Sequence, residues 1–176
     1  MQERYQQDPS NPKMRPGSYL YNLVLNAWVK CGNPEAAEKL LRQIPPDVVT
    51  TVSYTEVISA WARRPSPQDV QRLLEEMLHL YKQEGNVAVK PNSYTYTTVI
   101  SAWSRSVKSA RSCRERRNAA NMALQLLHQS QQSYTEGDVG AKPTRLTYCS
   151  VISSLAKVGN AEKAEELLGE LWNLYQ

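Results

Sequence analysis

One segment is written four times along this chain, and that repetition limits the possible fold more than any other property. Residues 20–30 read LYNLVLNAWVK, 53–63 SYTEVISAWAR, 95–105 TYTTVISAWSR and 147–157 TYCSVISSLAK. The tyrosines that mark the register are Tyr21, Tyr54, Tyr96 and Tyr148, spaced by 33, 42 and 52 residues. Each copy places apolar side chains at i, i+3, i+4 and i+7, one face of a helix: Tyr21/Val24/Leu25/Trp28, Tyr54/Val57/Ile58/Trp61, Tyr96/Val99/Ile100/Trp103 and Tyr148/Val151/Ile152/Leu155. A second helical pattern follows each one, at Ala37/Leu40/Leu41/Ile44, Val70/Leu73/Leu74/Met77, Ala123/Leu126/Leu127/Ser130 and Ala164/Leu167/Leu168/Leu171. Between the two lie breakers, Gly32-Asn33-Pro34, Pro65-Ser66-Pro67 and Gly159-Asn160, the residues that end one helix and start the next. A hairpin with one apolar face per helix does not close a core alone. Stacked hairpins do, so the pattern predicts an all-α fold, an α-solenoid of helix-turn-helix repeats.

The copies divide the chain into 1–17 (the end of a preceding repeat), 18–50, 51–92, 93–144 and 145–176. The linkers at 83–89 and 133–141 are long and end in a shared phrase, Lys90-Pro91-Asn92 and Lys142-Pro143-Thr144. Arg15-Pro16-Gly17 repeats that phrase at the start, and the last helix runs to Gln176 without a stop signal. The expectation is an internal piece of a longer array, with the fourth repeat cut short. An insertion at about 106–118 separates the helices of the third repeat and is expected to be a loop. It belongs to a basic run, Arg105 to Arg117, with six cations and one anion. The net charge of +4 is therefore concentrated there, which favours a polyanionic partner.

Other classes are disfavoured. Three widely spaced cysteines form no CxxC pair and no disulfide framework, the pattern of a reducing compartment. His79 and His128 lack neighbours at metal-ligand spacing, and there is no HExxH, phosphate-cradling Gly-rich loop or deaminase signature. No apolar run reaches the roughly 20 residues that cross a bilayer, and the first residues show no secretory signal or targeting peptide. The chain reads as a binding protein without catalytic residues, cofactor, membrane span or small-molecule substrate.

Beside the apolar face runs a polar stripe. Each copy carries a small residue (Asn22, Thr55, Thr97, Cys149), a second small polar residue four further on (Asn26, Ser59, Ser101, Ser153), and a cation after another four (Lys30, Arg63, Arg105, Lys157). Short amides and hydroxyls suit the edges of bases, and the cations suit phosphates, so binding should weaken with salt.

With TYxxVIxAxxK in the first helix, AxxLLxxM in the second and KPN before the next repeat, the chain resembles the pentatricopeptide repeat family from residue 17 to its end. The tetratricopeptide pattern is absent from the first helix. The resemblance implies a right-handed solenoid that holds single-stranded RNA along the groove of first helices, one base per repeat. It also implies work in RNA processing, stability or translation in a mitochondrion or plastid. Carried over by position, base selection falls to Asn22, Thr55, Thr97 and Cys149, paired with the last residue of each repeat, Thr50, Asn92 and Thr144, while Gly17 serves the preceding repeat. Contact with base faces falls to Tyr19, Val52, Tyr94 and Leu146, and phosphate contact to Lys30, Arg63, Arg105 and Lys157. Thr55 with Asn92 resembles the combination for adenine. Asn22 leans to a pyrimidine and is paired with Thr50, or with Asp47 if the short linker shifts the register. Thr97/Thr144 and Cys149 depart from the usual pairs. The alternatives are a tetratricopeptide-like scaffold for an extended peptide, and an adaptor for an enzyme domain encoded elsewhere.

Overall fold

The computed structural model describes residues 16–174; residues 1–15, with Arg15 of the first Arg-Pro-Gly phrase, and residues 175–176 lie outside them. Eight α-helices are present among the described residues: α1 (Ser18–Lys30), α2 (Pro34–Leu41), α3 (Thr51–Trp61), α4 (Pro67–Lys82), α5 (Ser93–Ser109), α6 (Cys113–Thr135), α7 (Arg145–Lys157) and α8 (Ala161–Leu174). They form four antiparallel hairpins, α1/α2, α3/α4, α5/α6 and α7/α8, and no strand occurs among the described residues.

The turns follow from the breakers. Gly32 and Gly159 take φ of +69° and +75°, a left-handed conformation that glycine adopts without a Cβ clash. Each closes its helix in a Schellman arrangement: the Asn33 N–H reaches the Trp28 carbonyl at 3.2 Å, and the Asn160 N–H reaches that of Leu155 at 3.0 Å. The same asparagines start the next helix, Asn33 Oδ1 accepting from the Ala36 N–H at 3.0 Å. In the second hairpin Ser66 instead donates to Asp69, with Pro67 at the first helical position.

Each odd-numbered helix packs on the next odd-numbered one and on the helix that completes its hairpin, while α2, α4 and α6 each also lean on the first helix of the following repeat. The first helices thus form a directly packed row, with the second helices behind it. One continuous core runs through all four hairpins. Tyr54, Val57, Ile58, Tyr96, Val99, Ile100, Val151 and Leu155 are buried in it, as the periodicity requires.

The quartets are less uniform than their spelling. Val24 and Trp28 of α1 are exposed, whereas Val57, Val99 and Val151 at the matching position of Val24 are fully buried. That position faces the preceding hairpin, and α1 has none among the described residues. Leu168 is exposed on α8 for the converse reason, since that face looks toward a following hairpin. Ser130 stands where α4 and α8 carry Met77 and Leu171, and where the first repeat has Ile44 just past the end of α2; it is fully buried, and its hydroxyl donates to the Ala141 carbonyl at 2.7 Å, tying α6 to the linker.

The insertion in the third repeat is not a loop. Helix α5 continues to Ser109 and α6 begins at Cys113, so only Ala110, Arg111 and Ser112 are non-helical. The reason is a small second core in which Val107 of α5 packs on Ala119 and Ala120 of α6, with Trp103 and Val158 beside them. Ser112 caps α6 by accepting from the Glu115 N–H at 3.1 Å. The extra residues lengthen both helices of one hairpin.

The long linkers are ordered by their Lys-Pro phrases. Lys90 pairs with Asp138 of the next linker at 3.0 Å and lies over the Tyr81 ring, and Lys142 lies over the Tyr134 ring. Behind the row, α2 and α4 share an ionic network. Glu38 accepts from Arg72 and from the Trp61 indole at 2.9 Å, while Glu76 accepts from Arg42 and from the Tyr54 hydroxyl at 2.6 Å.

Candidate nucleic-acid interface

Counted from the start of each first helix, the residues singled out by sequence occupy fixed places: the second (Tyr19, Val52, Tyr94, Leu146), the fifth (Asn22, Thr55, Thr97, Cys149), the ninth (Asn26, Ser59, Ser101, Ser153) and the thirteenth (Lys30, Arg105, Lys157), with Arg63 at the same count in the turn two residues past the end of α3. Steps of three and four keep all four places on one face. Thr50, Asn92 and Thr144 are the N-caps that immediately precede α3, α5 and α7. Thr50 therefore holds the place of the other two, and Asp47 lies three residues before it, so the short first linker does not shift the register.

The cap residues have structural work of their own. Each forms a reciprocal capping box with a hydroxyl three residues on, Thr50 with Ser53, Asn92 with Thr95 and Thr144 with Thr147. These three partner hydroxyls are almost wholly buried, and two of them join a cap to the fifth-place residue of the preceding helix. The Ser53 hydroxyl donates to Asn22 Oδ1 at 2.8 Å and lies 3.2 Å from the Thr50 hydroxyl. The Thr147 hydroxyl lies 2.8 Å from both Thr97 and Thr144, whose own hydroxyls are 3.5 Å apart. The fold thus brings together the pairs Asn22/Thr50 and Thr97/Thr144 across a repeat boundary. In the second repeat the Thr55 hydroxyl instead donates to the Thr51 and Val52 carbonyls at 2.9 and 3.0 Å. Asn92 uses its carbonyl oxygen on Thr95, and its amide NH2 makes no hydrogen bond among the described residues.

Access differs along the row. Thr55 and Thr97 are only 8% and 9% exposed, and their hydroxyls are already engaged. Asn22 is half-buried, and Cys149 is exposed. The second-place residues are all open: Tyr19 is 72%, Val52 50%, Tyr94 60% and Leu146 62% exposed. Four large apolar side chains at one helical place, none withdrawn into the core, form a regular line rather than scattered surface residues. Tyr94 also crosses the boundary, its hydroxyl 3.4 Å from that of Ser59 on α3.

The thirteenth-place cations divide by type. Arg63 donates to the Val29 carbonyl at 3.1 Å, and Arg105 donates to that of Ala62. Both arginines reach back to the carboxyl end of the preceding first helix, where its dipole favours a cation. A guanidinium has five N–H donors, so these bonds leave others for an anion. Lys30 is exposed at the end of α1, and Lys157 donates to Ser153 at 3.0 Å. The lysine ammonium of Lys157 is held below its ordinary pKa, first by loss of solvent and then by the positive charge of Lys108.

Sequence reasoning missed Ser53, Thr95, Thr147 and Lys108. The three hydroxyls were legible as a polar residue three places after each cap, the spacing of a capping box. Lys108 was counted with the expected loop, and only the continuation of α5 brings it onto the same face as Arg105. Among the described residues, no group of three or more His, Cys, Asp or Glu is placed to hold a metal ion, and no helix is long and apolar enough to cross a membrane.

Comparison with known proteins gives a consistent result. The family model of the PPR repeat matches residues 19–45 and 146–174, the first and fourth hairpins. A pentatricopeptide repeat-containing protein of Arabidopsis thaliana is 25% identical over 150 residues, covering 84% of this chain and 22% of the relative. Among solved structures, the crystal structure of the pentatricopeptide repeat protein PPR10 from maize superposes with a TM-score of 0.63 at 24% identity, over 98% of this chain and 22% of the maize chain. The superposition carries the fold. The chain spans about a fifth of the length of either protein.

Proposed function

We propose that this chain, a run of pentatricopeptide repeats, binds single-stranded RNA along its row of first helices, one base to each repeat, and that it works in organellar RNA processing, stability or translation. The observation that carries the reading is the exposed line of Tyr19, Val52, Tyr94 and Leu146, three residues before the fifth-place side chains. Apolar and aromatic groups spaced one per repeat offer surfaces for successive base faces, worth about 1–3 kcal/mol per base. The fifth-place residues and caps lie beside them as short hydrogen-bonding groups, and the thirteenth-place cations lie at the far end of the same helices, where a phosphate backbone would run. The mitochondrial or plastid setting rests on the family resemblance.

The test is binding of the chain to a randomised RNA pool at two salt concentrations. The expected outcome is selection of adenine opposite the second repeat, altered when Thr55 is replaced and Asn92 is exchanged for another capping-competent residue, with affinity falling as salt rises. Equal binding to every sequence would remove base selection from the reading. Failure of the folded chain to bind any RNA would overturn it, and capture of an extended peptide on the same residues would replace it with a protein scaffold.

A further inference from the structure

Several cations behind the row of first helices are matched to carboxylates: Arg42 to Glu38 and Glu76, Arg72 to Glu38 and Asp69, Lys90 to Asp138, and Lys163 to Glu166. On the row of first helices, between α5 and α7, an open depression of about 340 Å³ is lined by Ser101, Ser104, Arg105, Lys108, Ser153 and Lys157, with Cys149 and Ser150 beside them. Three of these residues are cations and none is an acid. Their partners within the protein are neutral: Arg105 donates to the Ala62 carbonyl and Lys157 to the Ser153 hydroxyl. Bringing cations together without an anion is unfavourable, and a dianionic or monoanionic oxygen-rich group placed among them relieves the repulsion.

From this juxtaposition we infer that Arg105, Lys108 and Lys157, with the serine hydroxyls around them, form a phosphate site at the junction of the third and fourth repeats. The lengthened α5 is what completes it, since the first helices of the other repeats end before the place Lys108 occupies. The inference deepens the RNA reading and rests on it for the source of the phosphate, a phosphodiester of the bound strand. A free phosphorylated ligand presents the same chemistry. The site reads no base. It fixes the register of the strand, so that contacts with the backbone are concentrated at one junction instead of being shared equally by four repeats.

Two measurements test it on the intact chain, with circular dichroism and thermal unfolding to confirm that each variant folds. The first is binding of an abasic ribose-phosphate oligomer and of oligouridylate across a salt series. Lys108→Gln and Lys157→Gln are each expected to reduce the salt slope by about 0.7 and to weaken binding about fivefold at 0.1 M salt, the effect of one lost phosphate contact on a single strand. Arg114→Gln, outside the depression, is expected to change neither. The second uses Cys149 as a reporter in a Cys31→Ser/Cys113→Ser background, since all three thiols are exposed. Inorganic pyrophosphate should slow alkylation of Cys149, and Lys108→Gln should abolish that protection. RNA binding that survives both lysine substitutions with an unchanged slope, together with no protection by pyrophosphate, overturns the site and leaves the RNA reading standing. Protection by pyrophosphate in a chain that binds no RNA supports the site, assigns it to a free phosphorylated ligand, and overturns the RNA reading instead.

Discussion

Asn92 shows how one residue serves two purposes. Its carboxamide oxygen caps α5 through the Thr95 N–H at 3.0 Å, while its NH2 remains available. Replacing it by alanine removes the cap and should cost about 1 kcal/mol of unfolding free energy, measured by urea denaturation. Asn92→Asp keeps an accepting oxygen and should hold stability within a few tenths of a kcal/mol, while exchanging the NH2 donor for a second acceptor. On the RNA reading, the aspartate variant changes base preference and the alanine variant mainly loosens the fold. If the two behave alike in both assays, the NH2 has no separate part in selection. This dual use explains the limit of legibility at the residue scale. Thr50, Asn92 and Thr144 are residue types demanded by an N-cap whatever the chain binds, so their identities alone do not separate the two roles. The commitment of Thr55 and Thr97 to backbone and neighbouring hydroxyls appears only once the helices are packed.

At the scale of elements, the third hairpin and the α2/α4 network make separate demands. A proline at 106 distinguishes the lengthened helix from the loop that the sequence suggests. In a loop it is nearly neutral, whereas inside α5 it removes a hydrogen bond and strikes the carbonyl one turn back, so Ser106→Pro should cost about 3 kcal/mol by chemical denaturation. The loop expectation arose because the basic run interrupts the repeat register. What the run conceals is a short apolar spacing, Val107 with Ala119 and Ala120, whose burial has meaning only across the hairpin. The α2/α4 network governs behaviour in acid. Partial burial pushes the Glu38 carboxyl up, but bonds from Arg72, Arg42 and Trp61 with the Arg72 charge outweigh it, and the result lies below the ordinary value of 4.5. Glu76 is likewise pushed up by burial and brought below that value by Arg42 and Tyr54. Both pKa values are lower folded than unfolded, so their stabilisation is complete above the ordinary carboxylate range and is lost as pH falls through the depressed values. A Glu38→Gln/Glu76→Gln variant should be less stable than the parent near pH 7 and should lose less on acidification, read from thermal unfolding between pH 7 and pH 3.

For the whole molecule, the ends of the row matter as much as its inside. Leu20, Leu23, Val24 and Trp28 are exposed along α1, and Leu168 and Trp172 along α8. The interior boundaries show that these two faces are the kinds of surface that stack on each other, so the 176-residue chain should associate head to tail in an open, concentration-dependent series. Sedimentation velocity should show the average mass rising with concentration, and Trp172→Glu should hold the chain monomeric; a concentration-independent monomer for the parent would reject this. The sequence by itself determined the solenoid. Four copies of one amphipathic hairpin, each unable to bury its face alone, have no other economical way to exclude water, and the period, caps and breakers are local properties written in order along the chain. Tertiary structure decided which polar residues are already spoken for, which cations stand unmatched, and that Lys108 shares a depression with Arg105 and Lys157. Those facts depend on packing between residues 31 to 50 or more positions apart, where helix length and the rotation of one hairpin on the next set the distances, and no local pattern encodes them.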